Sequence, residues 1–133
     1  LGICEAAYQA SLKYSNERTA FGKKINKFQS IGFKLADMAT QIEAARHLVY
    51  HAAWLKDNDE DIIKEAAMAK LFTSELAMRL TTDAIQIHGG FGYIREYNVE
   101  RFFRDAKILE IGEGTSEVQR IIISREILKS IEY

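Results

Sequence analysis

The sequence predicts an all-α fold, an antiparallel four-helix bundle formed by a single domain over residues 1–133. Three observations lead to this prediction. The 133 residues contain no proline, whereas loop-rich chains use several and helix interiors exclude them. Long stretches repeat apolar residues at alternating steps of three and four, the period of a helix that packs on one side. Short connections separate these stretches, as they do in antiparallel bundles.

The first helix is predicted at the very start of the chain. Its apolar positions share one face and are Ile3, Ala7, Ala10 and Tyr14. Because this pattern is already under way at Leu1, we expect the chain to be a piece of a longer polypeptide. The periodicity lapses over residues 17–24, where Gly22 can end or redirect the chain.

A long second helix is predicted from Phe28 to about 54–56, and its length follows from an unbroken apolar stripe. The stripe consists of Phe28, Ile31, Leu35, Met38, Ile42, Ala45, Val49 and Ala52. The acidic run 57–61 that follows has the composition of a solvated turn, and its charge favours the start of a further helix.

The third helix is predicted to run from Ile62 to His88. Its stripe consists of Ile62, Ala66, Ala69, Thr73, Leu76, Leu80, Ala84 and Ile87, in which Thr73 is the one polar member. Three glycines over residues 88–92 should end the helix and provide its C-terminal cap. A second functional loop is expected there.

Two more helices complete the chain. Residues 99–107 suggest a shorter amphipathic surface helix capped by Asn98. The last helix is predicted from about Thr115 towards Ser130, with Ser116 and Gln119 forming a capping box at its start. The four long helices are taken as the bundle.

The composition argues against several classes of function. A net charge of -1 offers no basic field for nucleic acid. The single Cys4 cannot form an internal disulfide and fits a reducing compartment. The chain has no apolar run of the roughly 20 residues that span a bilayer, no signal-peptide pattern at its start and no metal-ligand motif.

Glu113 is the strongest candidate for chemistry. Gly112 and Gly114 flank it, so a ligand can approach its carboxylate closely. Taken alone, the arrangement also fits an acidic residue that complements the dipole of the following helix, which stabilises by roughly 0.3–1 kcal/mol.

Five motifs in order support the first interpretation. They are residues 18–22 (RTAFG), 28–29 (FQ), 86–92 (QIHGGFG), 104–107 (RDAK) and 113–116 (EGTS). Together they closely resemble the C-terminal helical domain of the flavin-dependent acyl-CoA dehydrogenases, over essentially the whole chain. The resemblance implies a three-domain enzyme with FAD as cofactor, which converts an acyl-CoA thioester to a trans-2-enoyl-CoA.

By this resemblance Glu113 matches the base that removes the α-proton in the short- and medium-chain members, and its N–H, with a flavin ribityl hydroxyl, contacts the thioester oxygen. Gly112 and Gly114 are then the substrate contacts. The FAD contacts implied in the same way are Arg18, Phe21, Phe28, Gln29, Gln86, Gly89, Gly90, Thr115 and Glu117. His88 is interpreted as a packed residue.

The resemblance also implies partners. In the family the Arg18 contacts reach the FAD of a neighbouring subunit, so we expect a homo-oligomer, a tetramer or a dimer. The electron acceptor should be an electron-transfer flavoprotein, in the cytoplasm of a bacterium or in the mitochondrial matrix of a eukaryote. The isolated chain should fold but lack activity, because the other two domains enclose the flavin.

Two alternative functions remain open, and one position departs from the pattern of the family. The chain could belong to an acyl-CoA oxidase on the same scaffold, or be a non-catalytic helical interaction bundle. Many relatives have tyrosine immediately before the glutamate, where this chain has Gly112. This leaves acyl-chain preference undecided and raises the hypothesis that the site accepts bulkier or branched acyl groups.

Overall fold

A computed structural model describes residues 1–129 and 131. Within these residues there are five α-helices, so the all-α prediction is confirmed. They are α1 (Gly2–Glu17), α2 (Gln29–Asp57), α3 (Ile63–His88), α4 (Val99–Ile111) and α5 (Ser116–Lys129). The predicted end of the last helix at Ser130 lies outside the described residues.

Helix α3 is the centre of the fold and packs against each of the other four helices. Helix α2 runs antiparallel to it, since Lys34 pairs with Asp83 at one end and Leu48 lies beside Phe72 at the other. Helix α1 runs parallel to α3, because Leu1 shares a cleft with Thr73 while a ring near the end of α1 stacks on His88.

Helix α4 runs antiparallel to α3 and is the fourth helix of the bundle. Val99 at its start packs with Ala84 near the end of α3, and Leu109 near its end lies beside Ala69. Helices α1 to α4 therefore alternate in direction, as an antiparallel four-helix bundle requires.

The fourth member of the bundle differs from the one that the sequence suggested. Only two residues of α4, Val99 and Ala106, are buried, so its sequence has the pattern of a surface helix although it contacts both α1 and α3. Helix α5 also packs on α3, where Arg120 Nη2 is 2.7 Å from Glu75 Oε1.

The hydrophobic core is formed by the apolar stripes of α2 and α3 together with residues of α1. Helix α2 contributes Leu35, Met38, Ile42 and Ala45, as predicted. Helix α3 contributes Leu76, Leu80 and Ile87, and α1 contributes Cys4 and Tyr14. Met38 and Leu76 are fully buried, so the stripes predicted from periodicity are the faces that pack.

A small β-hairpin follows α1, with Thr19–Ala20 paired antiparallel to Lys23–Lys24. Its turn residues Phe21 and Gly22 have φ values of 51° and 80°, the left-handed pair typical of a two-residue hairpin turn. Strands of two residues leave no alternating pattern in a sequence. The hairpin was therefore not predicted.

Glycines shape the end of α3. The helix ends at His88, and Gly89 adopts a φ of 60° as its C-cap, as predicted. The chain then makes a 3-10 turn over Gly89–Gly92, although the glycines were expected to stop all helical structure. A Cβ on Gly92 would lie 2.5 Å from the Ile85 carbonyl oxygen, so the close approach of this turn to α3 requires glycine there.

Two capping predictions are wrong. Asn98 immediately precedes α4, but its side chain makes no capping hydrogen bond. Ser116 is the first residue of α5 rather than its cap. Thr115 takes that place, since its hydroxyl oxygen accepts a hydrogen bond of 3.4 Å from the Val118 N–H. Adjacent hydroxyl residues make the register of a cap ambiguous in a sequence.

Candidate active site and cofactor pocket

Glu113 lies on a tight turn between α4 and α5. The Gly112 N–H donates to the Ile108 carbonyl oxygen at 2.7 Å and ends α4. The next two residues are left-handed, with φ values of 55° for Glu113 and 94° for Gly114. Glutamate rarely adopts such a φ, and strained backbone of this kind persists only where surrounding contacts hold it. The result is an exposed carboxylate on a constrained backbone.

Two side chains bind the carbonyl groups of this turn. Lys70 Nζ on α3 donates to the Gly114 oxygen at 2.6 Å. Gln119 Nε2 on α5 donates to the Gly114 oxygen at 3.2 Å and to the Glu113 oxygen at 3.3 Å. A Cβ on Gly114 would lie 2.9 Å from Gln119 Nε2. The glycine therefore serves both the backbone conformation and the approach of the amide.

Glu113 lines a cleft of about 400 Å³ between α3 and α4. Gly112 lies in the same lining, so the structure brings these two predicted residues together. The wall is mainly apolar, and its members include Leu1, Val49, Ala69, Ile108 and Leu109. Lys70, Thr73 and Ser74 add polar groups from α3, and the buried Thr73 hydroxyl has no hydrogen-bond partner among the described residues.

Thr115 and Glu117 follow directly after this turn. A hydrogen bond from the Thr115 hydroxyl is the main reason that the pKa of the exposed Glu117 carboxyl lies below its usual value. The buried Ser116 hydroxyl has no partner in the described part of the chain. The two predicted FAD residues Thr115 and Glu117 thus lie close to Glu113 in the chain, Thr115 as the cap of α5 and Glu117 in its first turn.

A second pocket, of about 490 Å³, lies at the far end of α3. Arg18, Gly89 and Gly90 line it together, as their assignment to one ligand requires. The Arg18 guanidinium carbon lies 5.2 Å from the centre of the Phe91 ring, and no carboxylate pairs with Arg18 within residues 1–129 and 131. A Cβ on Gly89 or Gly90 would meet no atom within 4 Å, so their backbone is open to a ligand.

The remaining predicted FAD residues do not line this pocket. Phe21 is 95% exposed and meets Phe28 edge to face, with ring centres 6.2 Å apart. Gln29 is the first residue of α2 and Gln86 lies in the last turn of α3, and both are exposed. These four side chains present surface to solvent at the same end of α3 as Arg18.

The predicted residues therefore fall into two groups. The cleft of Glu113 adjoins Thr73, whereas the pocket of Arg18 adjoins His88, fifteen residues further along the same helix. At 1.5 Å per residue the separation is roughly 22 Å. One subunit therefore does not bring the two groups to the same atoms of a ligand.

His88 is buried, as its interpretation as a packed residue implies. Its ring stacks on Tyr14 at 4.2 Å between centres, and Nδ1 lies 2.8 Å from the Ala84 carbonyl oxygen. Because that oxygen only accepts, Nδ1 carries the proton. Burial lowers the pKa of His88 and raises the pKa of Tyr14.

The sequence did not point to Lys70 as a site residue, or to Gln119 as more than a cap. A signal was present in both cases. Lys70 lies three residues before Thr73 and so on nearly the same side of α3 as the inward-facing stripe, where lysine is unusual. Gln119 is buried, although glutamine is mostly exposed in proteins.

Two features are absent from residues 1–129 and 131. None of the helices described is long and apolar enough to cross a membrane. Among the same residues there is no group of three or more His, Cys, Asp or Glu side chains able to hold a metal ion.

Residues 1–128 match the family model "Acyl-CoA dehydrogenase, C-terminal domain". The chain therefore belongs to this family, as the motifs indicated.

Individual relatives agree with this assignment. The chain is 60% identical over 129 residues to the probable acyl-CoA dehydrogenase YngJ of Bacillus subtilis, covering 97% of this chain and 34% of the relative. It is 50% identical to the caffeyl-CoA reductase-Etf complex subunit CarC of Acetobacterium woodii, with coverage of 97% and 34%.

Among solved structures, butyryl-CoA dehydrogenase from Megasphaera elsdenii superposes with a TM-score of 0.94 at 54% identity, covering 96% of this chain and 33% of that one. The chain thus spans about a third of the length of the relatives it matches.

Proposed function

We propose that this chain is the C-terminal domain of a three-domain, FAD-dependent acyl-CoA dehydrogenase that oxidises an acyl-CoA thioester to a trans-2-enoyl-CoA. The observation that carries the proposal is the position of Glu113. Its exposed carboxylate lies on a constrained turn and lines an apolar cleft of about 400 Å³. This arrangement places a carboxylate beside an apolar cleft that an acyl group can enter.

Glu113 is proposed as the base that takes the α-proton. A thioester α-proton is weakly acidic, so removing it requires a basic carboxylate and stabilisation of the developing enolate oxygen. An apolar ligand that displaces water makes a neighbouring carboxylate a stronger base. The Glu113 N–H has no acceptor among residues 1–129 and 131, so it is available to donate to the thioester oxygen.

The residues of the Arg18 pocket fit a flavin dinucleotide. A permanent cation without a carboxylate partner lies beside two glycines whose backbone is open, and a pyrophosphate is bound by such a combination of guanidinium and N–H groups. When bound, FAD supplies the acceptor for the β-hydrogen, which leaves the substrate as hydride. Phe21, Phe28, Gln29 and Gln86 are proposed to complete the cofactor surface.

The separation of the two groups supports a homo-oligomer. Arg18 and Glu113 belong to regions roughly 22 Å apart on one helix. In the proposed assembly, a dimer or tetramer, Arg18 contacts the cofactor of a neighbouring subunit, while Thr115 and Glu117 contact the cofactor beside their own Glu113. Each complete site then draws on two chains.

Electron-transfer flavoprotein is proposed as the acceptor, and the name of the relative CarC as a subunit of an Etf complex supports this choice. That relative is named as a reductase, and the same base would serve the reverse reaction by returning a proton to the α-carbon. An acyl-CoA oxidase on this scaffold would instead pass its electrons to oxygen.

The test is to express the whole gene that encodes this chain and to assay straight and branched acyl-CoA of graded length with an artificial electron acceptor. The proposal expects a yellow holoenzyme that forms enoyl-CoA and is reoxidised slowly by air. Fast reoxidation by air would identify an oxidase. A colourless protein without turnover on any acyl-CoA or enoyl-CoA would refute the proposal and favour a non-catalytic bundle.

A further inference from the structure

We infer that Lys70 and Gln119 are positioning residues that hold Glu113 in its reactive orientation by binding the carbonyl groups of its turn. The inference rests on the proposed role of Glu113 as the base. It adds two residues, from α3 and α5, to the machinery of the site.

The backbone of this turn has a conformation that other groups must hold in place. Glu113 and Gly114 are consecutive left-handed residues, with φ values of 55° and 94°. For glutamate this conformation costs roughly 1–3 kcal/mol and requires support from its surroundings. The backbone bonds around the turn, Gly112 to Ile108 and Gln119 to Thr115, are local and belong to the ends of α4 and α5. They leave the carbonyl groups of Glu113 and Gly114 to other donors.

Lys70 reaches the turn from a distant part of the chain. Lys70 lies 44 residues before Gly114 and belongs to α3, the helix that packs against every other helix. Its bond of 2.6 Å therefore fixes the turn relative to the centre of the bundle. Without it, the turn would be held only through the two helices that it joins.

The charge of Lys70 is directed at a neutral acceptor. Lys34, Lys64 and Lys107 each pair with a carboxylate, and the described residues contain no such partner for Lys70. Its ammonium group instead donates to a carbonyl group, a bond that the positive charge strengthens. Lys70 also lines the cleft with Glu113, so the bond is made at the edge of the proposed substrate site.

Gln119 binds the same turn from α5. Its buried amide donates to both carbonyl groups, and the absence of a Cβ at Gly114 is what permits the contact. With both carbonyl oxygens bound, rotation of the peptide on the C-terminal side of Glu113 is restrained. The direction of the Glu113 Cα–Cβ bond is thereby restricted.

The experiment compares four variants of the flavoprotein expressed from the whole gene. Lys70→Met removes the donor but keeps a long side chain, Lys70→Arg restores a cationic donor, and Gln119→Leu removes the amide. Lys64→Met is the matched control, because Lys64 lies on the same helix and pairs with Glu65 away from the turn. For each, kcat per bound flavin, KM, melting temperature and solvent-deuterium incorporation at the substrate α-carbon are measured with the preferred acyl-CoA of the graded series.

Misplacement of a catalytic group by about 1 Å can cost about 100-fold in rate. We expect Lys70→Met and Gln119→Leu to lower kcat per flavin and deuterium incorporation together, by roughly 10- to 100-fold, with KM unchanged. Lys70→Arg should recover most of this loss, and Lys64→Met should match the parent. A Lys70→Met enzyme that melts earlier but retains full kcat per flavin would overturn the inference, as would equal losses in the Met and Arg variants.

A parallel Glu113→Gln variant separates this inference from the proposed function. If Glu113→Gln incorporates deuterium at the parental rate, Glu113 is not the base, and the proposed role on which this inference rests fails. If Glu113→Gln is inactive while Lys70→Met and Gln119→Leu are fully active per flavin, the base assignment stands and only the positioning role is refuted.

Discussion

Two glycines of the Gly89–Gly92 turn should respond in opposite ways to the same substitution. A Cβ on Gly92 would lie 2.5 Å from the Ile85 carbonyl oxygen and 2.9 Å from Ile85 Cα, both backbone atoms of α3. A Cβ on Gly90 would meet nothing within 4 Å, and Gly90 lines the same pocket as Arg18. Gly92→Ala therefore perturbs the fold, and Gly90→Ala perturbs the ligand site.

The magnitudes follow from these contacts. Forcing a methyl group against backbone costs about 1–3 kcal/mol. Replacing glycine by alanine also stabilises by about 0.4–1 kcal/mol through the unfolded chain, but this effect is common to both variants and cancels in their difference. Gly92→Ala should therefore be about 1–3 kcal/mol less stable than Gly90→Ala. The extra methyl of Gly90→Ala should weaken FAD binding roughly tenfold or more.

The assay uses the apoprotein of the flavoprotein expressed from the whole gene. Denaturant unfolding monitored by circular dichroism gives the free energy of unfolding, and quenching of flavin fluorescence gives the Kd for FAD. A Gly92→Ala protein as stable as Gly90→Ala would refute the packing argument. Unchanged FAD affinity in Gly90→Ala would refute the assignment of this pocket to the cofactor.

Three further outcomes are expected. Arg18→Ala should reduce both FAD retention and the stability of the oligomer on dilution, since a ligand bound across subunits stabilises the assembly by mass action. Loss of FAD with an unchanged oligomeric state in analytical ultracentrifugation would show that cofactor binding and assembly are not coupled. Gly112→Tyr should shift the substrate profile towards straight, shorter acyl chains. Gly112→Ala is the control, because any Cβ at this position would approach the Ile108 carbonyl oxygen to 3.2 Å. An unchanged profile in Gly112→Tyr would refute the hypothesis that Gly112 leaves room for a larger acyl group beside the base. Burial lowers the pKa of His88, so the unfolded chain binds more protons than the folded chain just below about pH 6.5, and the free energy of unfolding should fall as pH decreases through that range. In unfolding titrations at graded pH, the free energy of unfolding should depend less steeply on pH in His88→Phe than in the parent. Equal dependence on pH would exclude His88 as the cause.

The parts of the fold that periodicity determines were predictable from the sequence. The stripes of α2 and α3 each span several turns, so their buried faces, including Leu35, Met38, Leu76 and Leu80, follow from spacing alone. The membership of α4 in the bundle did not follow. It depends on two small buried contacts, Val99 and Ala106, which carry too little apolar surface to distinguish a packed helix from a surface helix.

The candidate site was predictable only in part. Glycines on both sides of Glu113 permit a ligand to approach its carboxylate closely, and the ordered motifs supplied the proposed chemistry. The bond from Lys70 to the Gly114 carbonyl group joins residues 44 apart in the chain. No local pattern encodes such a contact, because it depends on how α3 and α5 pack. The separation of Arg18 and Glu113 into two regions likewise could not be predicted, because it depends on the directions in which the helices run.

The most direct test of the account is the reductive half-reaction of Glu113→Gln, measured by anaerobic stopped-flow mixing of the holoenzyme with its preferred acyl-CoA. Glu110→Gln is the control, since Glu110 lies on α4 just before the turn and pairs with Lys107. We expect Glu113→Gln to retain FAD but to bleach the flavin about 10²- to 10⁴-fold more slowly than the parent, the usual contribution of a general base, while Glu110→Gln bleaches normally. Bleaching of Glu113→Gln at the parental rate would contradict the assignment of Glu113 as the catalytic base.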